Sequence, residues 1–343
     1  MTTYADAGVD REERKTAKRI LEGLQETWIL SKHGPMIITP YNTLYPIGNG
    51  MFHTKCCDGV GTKVMLAQMA GKHDTIGIDA IAMVTNDAIR CGATPLAVTD
   101  VIDIKKSEPE LLGQLRTGLR KGAELSGCPL VGGEMANVPD LMAVPYHINC
   151  DCVGEVNEQD IITGKNLAAG DTIIGLPSSG LHSNGLSLAR RALFKKWGGT
   201  FGPWDKPDGL DKELVIEALE PTRIYVQQFL ELAKKVNIKA AVHVTGDAYG
   251  KFDKLFRAAP GIGLEFDNFN PQPIFHLIQK NGKVQPEEMF KTFNMGWGFA
   301  IMVSSEDKDI ALQLLGDGEV IGKVTAETGR IKVKEGGAWL SIR

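Results

Sequence analysis

Apolar positions recur at helical spacing in several long stretches of the chain. In the first of them, residues 11–31, the side chains of Ile20, Leu24 and Trp28 repeat on one face and predict an amphipathic helix. The same spacing predicts further helices at 63–70, 78–90, 109–126, 186–197 and 221–236. A polar arm over residues 1–9 precedes the first helix.

Short apolar and β-branched runs separate the predicted helices. They predict strands at 96–104, 129–131, 147–156, 172–176, 240–244, 262–266, 298–303 and 319–324, and a terminal hairpin over 330–343 that turns at Gly336-Gly337. Strands that alternate with helices are typical of layered α/β or α+β domains. The pattern therefore predicts an α/β (α+β) chain in which sheets pack against helices.

The length of the chain predicts two domains, because 343 residues exceed what a single core usually holds. Glycines and polar residues interrupt the pattern over 161–171, so we place the boundary there and expect domains 1–166 and 167–343. Hydrophobic residues make up 43 % of the chain and charged residues 23 %, as in ordinary globular proteins. We therefore expect folding without disulfides or a structural metal.

Charge and apolar run lengths exclude two classes of partner. A formal net charge of −4 argues against binding along a nucleic-acid backbone, which requires a basic excess or stripe. The N-terminus does not resemble a signal peptide, and apolar runs fall short of the ~20 residues of a spanning helix. We expect no nucleic-acid partner, no membrane segment and a cytoplasmic location.

The six cysteines lack zinc-like spacing and are expected to be buried, reduced thiols.

The segment 58–63, Asp-Gly-Val-Gly-Thr-Lys, opens a predicted helix and suggests a phosphate site. Backbone N–H groups at Gly59, Gly61 and Thr62 can approach an anion closely, and a helix N-terminus favours negative charge. Lys63 can supply a positive charge to phosphate, while Asp58 can bind Mg²⁺. The segment does not have Walker A spacing. By itself it is also typical of an ordinary turn before a helix.

Three carboxylates strengthen the case for a metal-bound nucleotide. Asp87, next to Asn86, lies on a predicted helix of small residues, and Glu134 follows two glycines after a strand. Together with Asp58 they offer the oxygen ligands with which Mg²⁺ bridges proteins and substrate phosphates. Each carboxylate can equally be a helix cap, a surface charge or an ion-pair partner.

A second polar loop, residues 178–185, follows a predicted strand in the second half. Its hydroxyl, amide and imidazole groups, from Ser179, Asn184 and His182, can contact an oxyanion, and His182 can transfer a proton. His182 can also be a structural loop residue. A Ser-His-Asp hydrolase of Ser179, His182 and Asp247 is a weaker alternative, because the chain has no G-x-S-x-G segment.

Several segments, in their order along the chain, resemble the phosphoribosylformylglycinamidine cyclo-ligase (aminoimidazole ribonucleotide synthetase) family of purine biosynthesis. They are Tyr4 to Asp10, Asp58 to Lys63, Asp74 to Asp79, Asn86-Asp87, Gly92 to Pro95, Leu130 to Glu134, Gly180 to Gly185, His243 to Gly246 and Phe293 to Gly296. The resemblance covers most of the chain. It is more specific than any one motif.

The resemblance implies a homodimer in which the N-terminal sheets pair into a barrel, with ATP and Mg²⁺ bound near the interface. It implies that ATP activates the formamide oxygen of formylglycinamidine ribonucleotide, that the ring closes, and that ADP and phosphate leave. The implied metal ligands are Asp58, Asp87 and Glu134; the ATP contacts are Lys63, Gly59, Gly61, Thr62 and Asn86; the reacting centre has His182, Ser179 and Asn184.

The chain departs from the family pattern in three places near the implied site. They are Lys55 to Cys57, Asn137 to Asp140, and Asp247, which stands in a loop where the family has three glycines. The departures keep two alternatives open: a related ATP-dependent enzyme of the same superfamily, such as a small-molecule kinase, and a nucleotide-binding protein without catalysis. A selenophosphate synthetase is disfavoured, because residues 1–10 contain no cysteine.

Overall fold

The computed structural model describes residues 3–343, and within them the chain forms two mixed sheets with helices against them. The first sheet contains β1 Ile37–Ile38, β2 Thr43–Gly48, β3 Met51–Gly59, β4 Thr94–Ile104, β5 Leu130–Asn137 and β6 Tyr146–Asn157. The second contains β7 Thr172–Pro177, β8 Ala240–His243, β9 Gly263–Phe266, β10 Trp297–Val303, β11 Glu319–Thr325, β12 Ile331–Glu335 and β13 Ala338–Ser341. The α/β prediction is confirmed.

Helices connect the strands of both sheets. With the first sheet are α1 Arg11–Glu22, α2 Val64–Ala70, α3 Ile76–Ile89 and α4 Pro109–Ser126. With the second are α5 Leu186–Leu193, α6 Leu214–Ala218, α7 Val226–Ala233, α8 Leu255–Ala258, α9 Pro273–Gly282, α10 Pro286–Thr292 and α11 Lys308–Leu315. No helix within residues 3–343 is long and apolar enough to cross a membrane.

The first sheet has the strand order β1-β2-β3-β6-β4-β5, and only β4 and β5 run parallel, joined by α4. Helices α3 and α4 pack together at backbone distance, because a Cβ added at Gly77 would lie 2.1 Å from the backbone nitrogen of Leu119. This close packing fixes α3, which carries Asn86 and Asp87, against the sheet.

The two faces of the first sheet differ in exposure. Residues directly opposite on neighbouring strands share a face. Cys56 pairs with Cys152, and both are buried on the helix-covered face. Val101 of β4 pairs with Glu134 of β5 on the other face, where Val101 remains 44 % exposed. One face therefore belongs to the core, and the other is uncovered in the single chain.

The second sheet has the order β13-β12-β9-β11-β7-β10-β8. Every residue of β10, which lies between β7 and β8, is buried, as its continuous apolar run predicts. The two sheets are separated along the chain by residues 158–171. The boundary at residue 166, with domains 1–166 and 167–343, stays a prediction.

Four predicted elements need correction. The helix predicted over 186–197 ends at Leu193, because Phe194 is extended, and a separate 3-10 helix follows over Lys195–Trp197. The helix predicted over 11–31 ends at Glu22 and continues as a 3-10 helix, Gly23–Leu30, since glycine weakens an α-helix. The strand predicted over 129–131 extends to Asn137, so Glu134 lies in a strand and not in a loop. The helix predicted from residue 221 begins only at Val226, because the preceding residues bind the other domain.

Other features follow the sequence closely. The terminal hairpin forms from β12 and β13 around Gly336-Gly337, both with positive φ. All six cysteines are free thiols, and all except Cys57 are buried. The predicted polar arm is described from residue 3 onward, and its first two residues lie outside the described part. From Arg11 the chain is held on α10, because the Arg11 guanidinium lies 2.9 Å from the Glu288 carboxylate.

Candidate nucleotide and substrate site

An extended segment, residues 220–225, fastens the two domains together. Lys63 from the first domain donates to the Glu220 carbonyl oxygen at 2.6 Å and to Asp79 Oδ1 at 2.9 Å. The same Asp79 oxygen accepts from the backbone N–H of Thr222 at 2.8 Å and from its hydroxyl at 2.5 Å. Lys63 and Asp79 are both wholly buried. The geometry thus gives Lys63 a structural role, and its predicted phosphate contact has no support in this arrangement.

Asn86 binds the same segment with both ends of its amide. Its Nδ2 donates to the Arg223 carbonyl oxygen at 2.9 Å, and its Oδ1 accepts from the Tyr225 N–H at 2.9 Å. These bonds replace the helical hydrogen bonds that the sequence pattern predicted for residues 221–225. Asn86 therefore joins the domains, and its predicted contact with ATP stays a prediction.

Asp87 lies at the centre of a buried polar cluster. Its Oδ2 is 2.8 Å from an Arg90 guanidinium nitrogen, one helical turn away, and its Oδ1 is 2.9 Å from His243 Nδ1. Burial alone would raise the pKa of Asp87, but Arg90, the His243 hydrogen bond and Lys251 outweigh it and hold the pKa well below its usual range. Asp87 is therefore ionised.

His243 has a defined tautomer because its partner is ionised. Burial is the main cause that lowers the pKa of His243, so the ring is neutral. A neutral ring facing a carboxylate donates from Nδ1, which leaves Nε2 as an acceptor. Nε2 is buried, and no residue of the described part of the chain binds it. His243 therefore presents a free proton acceptor.

His182 has the opposite arrangement. Its Nε2 accepts the backbone N–H of Ser179 at 3.1 Å, so in a neutral ring the proton is on Nδ1. Burial and the neighbouring His243 hold the pKa of His182 well below its usual value. Nδ1 is buried and has no partner among residues 3–343. His182 presents a free donor.

The two imidazoles belong to one group of neighbouring aromatic rings, in which Tyr225 and Phe299 are 5.3 Å apart. His182 is 6.5 Å from Tyr225, and His243 is 6.1 Å from Phe299, measured between ring centroids. A Cβ at Gly298 would lie 2.5 Å from His182 Cε1, so this strand position requires glycine. His182 itself has a φ of 58°, an unfavourable value for histidine that is held by the loop.

The other residues predicted in the reacting centre have mixed placements. Ser179 donates its hydroxyl to the Pro221 carbonyl oxygen at 2.5 Å and not to His182. Asn184 has a buried Nδ2 that binds nothing in the described chain, so it is a second free donor near His182. Asp247 lies 3.8 Å from Arg11. The alternative Ser-His-Asp hydrolase is therefore wrong, because its three groups do not connect.

The three predicted metal ligands do not converge within one chain. Asp58 pairs with Cys150, which is 1 % exposed, and so lies on the covered face of the sheet. Glu134 lies on the uncovered face of β5, three strands away, which is about 14 Å at ~4.8 Å per strand. Within residues 3–343 no group of three or more His, Cys, Asp or Glu side chains is arranged to hold a metal.

Asp58 is nevertheless close to Asp87. Partial burial of the Asp58 carboxylate is the main cause that raises its pKa, and the negative charge of Asp87 raises the pKa further. Asp58 Oδ1 accepts only the adjacent N–H of Gly59, at 2.8 Å. Two carboxylates that repel each other, one of them with an exposed surface, form a site that a cation would relieve.

The glycine-rich segment after Asp58 is open on its outer side. Gly61 has a φ of 62° and space around its α-carbon, whereas a Cβ at Gly59 would lie 2.1 Å from Asn149 Oδ1. Thr62 is exposed, and its carbonyl oxygen accepts from Arg190 at 2.8 Å. The residues of this segment can contact a phosphate group, and their binding of phosphate stays a prediction.

Sequence reasoning missed several members of the Asp87 cluster. Asn42 accepts from Arg90 at 3.1 Å and donates to the Asp87 carbonyl oxygen at 3.0 Å. Lys251 donates to the carbonyl oxygen of His243 at 3.1 Å, and burial, followed by Arg90, lowers the pKa of Lys251 to about 7. Only Arg90 gave a sequence signal, since it stands three residues after Asp87 on one helix.

The buried, neutral ring of His182 predicts a loss of stability in mild acid. Below pH ~6.5 an unfolded histidine binds a proton that the native His182 cannot bind, so the free energy of unfolding falls as pH falls, by up to about 1.4 kcal/mol per pH unit. Between pH ~7.5 and ~5.5 we expect the unfolding free energy of His182→Gln to fall by about 1.4 kcal/mol less than that of wild type. Urea unfolding at the two pH values measures this difference.

The exposed His147 provides the control, because His147→Gln should follow wild type at both pH values. A His182→Gln variant with an unfolding free energy that tracks wild type across this pH range would contradict the buried, neutral ring.

Comparisons with known proteins agree over nearly the whole chain. A family model described as AIR synthase related protein, N-terminal domain, matches residues 43–156, and its C-terminal counterpart matches 168–334. A phosphoribosylformylglycinamidine cyclo-ligase of Pyrococcus furiosus is 42 % identical over 319 residues, with 92 % of each chain covered. One of Methanothermobacter thermautotrophicus is 36 % identical over 340 residues, with 97 % of each covered.

The fold is shared more widely. The crystal structure of thiamine monophosphate kinase from Aquifex aeolicus superimposes with a TM-score of 0.62 at 18 % identity and covers 92 % of this chain and 95 % of that one. At such low identity the likeness concerns the fold alone. The matched domains and the cyclo-ligase relatives show that this chain belongs to the phosphoribosylformylglycinamidine cyclo-ligase family of AIR synthase related proteins.

Proposed function

We propose that the chain closes the ring of formylglycinamidine ribonucleotide to give aminoimidazole ribonucleotide, with ATP converted to ADP and phosphate. The relatives named above carry this activity in their name. The observation that supports it most directly is the pair of buried imidazoles, of which His182 presents a free donor and His243, hydrogen-bonded to the ionised Asp87, presents a free acceptor.

The proposed reaction has two steps. The formamide oxygen attacks the γ-phosphorus of ATP, and ADP leaves. An amidine nitrogen then attacks the activated carbon, loses a proton, and the oxygen leaves as phosphate. Such chemistry requires positioned donors, a base and a cation more than a protein nucleophile.

We assign the proton transfers to the two histidines. His243 Nε2 can accept the proton of the attacking nitrogen, since its lone pair is free and Asp87 stabilises the resulting imidazolium. His182 Nδ1–H can donate to the departing oxygen. Asn184 adds a donor for the same oxygen, and Ser179 positions His182 through its backbone N–H.

We assign Mg²⁺, which neutralises phosphate charge when bound, to Asp58 and Asp87 within one chain. Mg²⁺ commonly binds through one or two carboxylates together with phosphate oxygens, and the raised pKa of Asp58 beside Asp87 fits a cation site. Glu134 can join such a site only from a second chain. Gly59, Gly61 and Thr62 would face the phosphates.

The function is tested by incubating the protein with ATP, Mg²⁺ and formylglycinamidine ribonucleotide and following both ADP and aminoimidazole ribonucleotide. We expect equal amounts of the two products. ADP release with another acceptor would indicate a related kinase, and ATP binding without any product would indicate a non-catalytic nucleotide-binding protein. Either result overturns the cyclo-ligase assignment. A cytoplasmic location stays a prediction.

We propose that the chain forms a homodimer through the edge of the first sheet. Within the part of the chain that the structure describes, strand β5 is the edge strand of the first sheet, and its Val131 and Met135 are 63 % and 44 % exposed. An exposed apolar edge strand favours pairing with another copy. Such pairing would bring Glu134 of one chain toward the partner.

Light scattering after size exclusion tests the dimer. Val131→Asp should convert a dimer to a monomer, whereas Ile310→Asp, at an exposed apolar position on α11, should leave the mass unchanged. A wild-type protein that elutes as a monomer at all concentrations would contradict the dimer.

A further inference from the structure

Three cations surround the ring of Tyr41. The Arg90 guanidinium carbon lies 5.2 Å from the ring centroid, and the ammonium nitrogens of Lys251 and Lys254 lie 6.0 and 5.5 Å from it. Aromatic faces attract cations, but one ring cannot balance three positive charges. The place of this cluster in the fold is next to Asp87 and His243.

The charge of the cluster is only partly balanced. Arg90 is paired with Asp87 at 2.8 Å. Among the described side chains, which leave out those of residues 12, 14 and 15, neither Lys251 nor Lys254 has a carboxylate oxygen within 4.0 Å of its ammonium nitrogen. Asp58 and Asp87 act on Lys251 only at longer range. Among the described side chains, the two lysines beside the proposed site therefore lack a carboxylate at ion-pair distance, and Asp87 and Asp253 act on Lys254 only at longer range.

Lys251 has hydrogen-bonding capacity left over. An ammonium group has three N–H donors. Two of those of Lys251 go to the His243 carbonyl oxygen and the Thr245 hydroxyl. The third has no protein acceptor in the described chain, although Lys251 is half-buried. A partly buried ammonium without a counter-charge is unfavourable unless an anion completes it.

The lysine of the glycine-rich segment does not serve this purpose. Lys63 is wholly buried, and its ammonium is bound by Asp79 and by the Glu220 carbonyl oxygen. Lys251 and Lys254 instead stand in the short helical segment Ala248–Lys254, directly after the loop in which Asp247 departs from the family's glycines.

We propose that Lys251 and Lys254 form a phosphate subsite of this protein, to which the neighbouring Arg90 adds positive charge. The inference rests on the proposed function, which supplies two sources of a phosphate group: ATP and the 5′-phosphate of the ribonucleotide. Lys251 contributes its free N–H, and Lys254 closes the subsite from the exposed side. Phosphate, with several charged oxygens, can engage both lysines at once.

Calorimetric binding tests the subsite with three probes: ATP with Mg²⁺, formylglycinamidine ribonucleotide and ribose 5-phosphate. The variants are Lys251→Gln, which keeps two N–H donors for His243 and Thr245, Lys254→Met, and the two combined. Lys235→Met, at an exposed lysine just after the end of α7, is the matched control. Thermal unfolding of each variant confirms that it is folded.

We expect each single variant to weaken one phosphate ligand by about tenfold, and the double variant by more. Loss of affinity for ATP alone assigns the subsite to the nucleotide. Loss for the ribonucleotide and ribose 5-phosphate, with ATP unchanged, assigns it to the 5′-phosphate. Lys251→Arg and Lys254→Arg should restore most of the binding, because they keep the charge.

Two outcomes overturn the subsite. One is a folded double variant that binds all three probes within about twofold of wild type, and the other is a wild type that binds none of them. Failure of the proposed function gives a different result. A wild type that makes no aminoimidazole ribonucleotide but binds a probe through these lysines would keep the subsite and reject the cyclo-ligase.

Discussion

Asp87→Asn is expected to lower ATP-dependent product formation at least about 100-fold. The substitution removes the charge that fixes the tautomer of His243, and it removes one of two carboxylates proposed for Mg²⁺. It also leaves Arg90, which is 8 % exposed, without its counter-charge. Loss of one member of a buried ion pair costs about 3–5 kcal/mol of unfolding free energy.

Steady-state rates over a range of Mg²⁺ concentrations, with urea unfolding beside them, measure both effects. Asp317→Asn is the control, since Asp317 pairs with Arg223 at 2.7 Å but is 49 % exposed, and an exposed pair contributes less than about 1 kcal/mol. A folded Asp87→Asn protein with wild-type rates at limiting Mg²⁺ would reject the role given to Asp87.

Lys63→Met is expected to destabilise the protein by about 3–5 kcal/mol, because Asp79 would keep a wholly buried charge without its cation. The loss should be partly recovered in the double variant Lys63→Met, Asp79→Asn, with a coupling free energy of about 1–3 kcal/mol. Denaturant unfolding of the four proteins of this cycle gives the value. Lys72→Met, from the half-exposed pair with Asp74, should change stability by less than about 1 kcal/mol.

The same variant decides between two roles for Lys63. In the structural role, the variant that remains folded binds ATP with nearly wild-type affinity. A Lys63→Met protein as stable as wild type, but with ATP binding reduced about tenfold or more, would instead establish the phosphate contact that the glycine-rich segment predicts.

Elements with strong local patterns were predictable from the sequence. Helix α4 matches the prediction at both ends, since Gly127 takes the left-handed conformation that ends it. Strand β7 differs by one residue. Helices α9, α10 and α11 were missed. The helix predicted from residue 221 is wrong over residues 221–225, because their hydrogen bonds go to Asp79 and Asn86, which are more than 130 residues away along the chain.

The sequence by itself determined the family and the two-sheet α/β architecture, and it made Asp58, Asp87 and His182 candidates for one site, because short motifs and hydrophobic periodicity are local. Only the tertiary structure decided which charged groups are already satisfied inside the protein. The sequence around Lys63 is that expected for a phosphate ligand, yet the Lys63 ammonium group is paired with the buried carboxylate of Asp79.

Tertiary structure also separated Glu134 from Asp58 and revealed Lys251 as a cation without a counter-charge. Strand order and sheet face decide the first, and packing of the segment Ala248–Lys254 against Tyr41 decides the second. Both depend on which distant residues share a surface, and the spacing of residues along one chain does not contain that information.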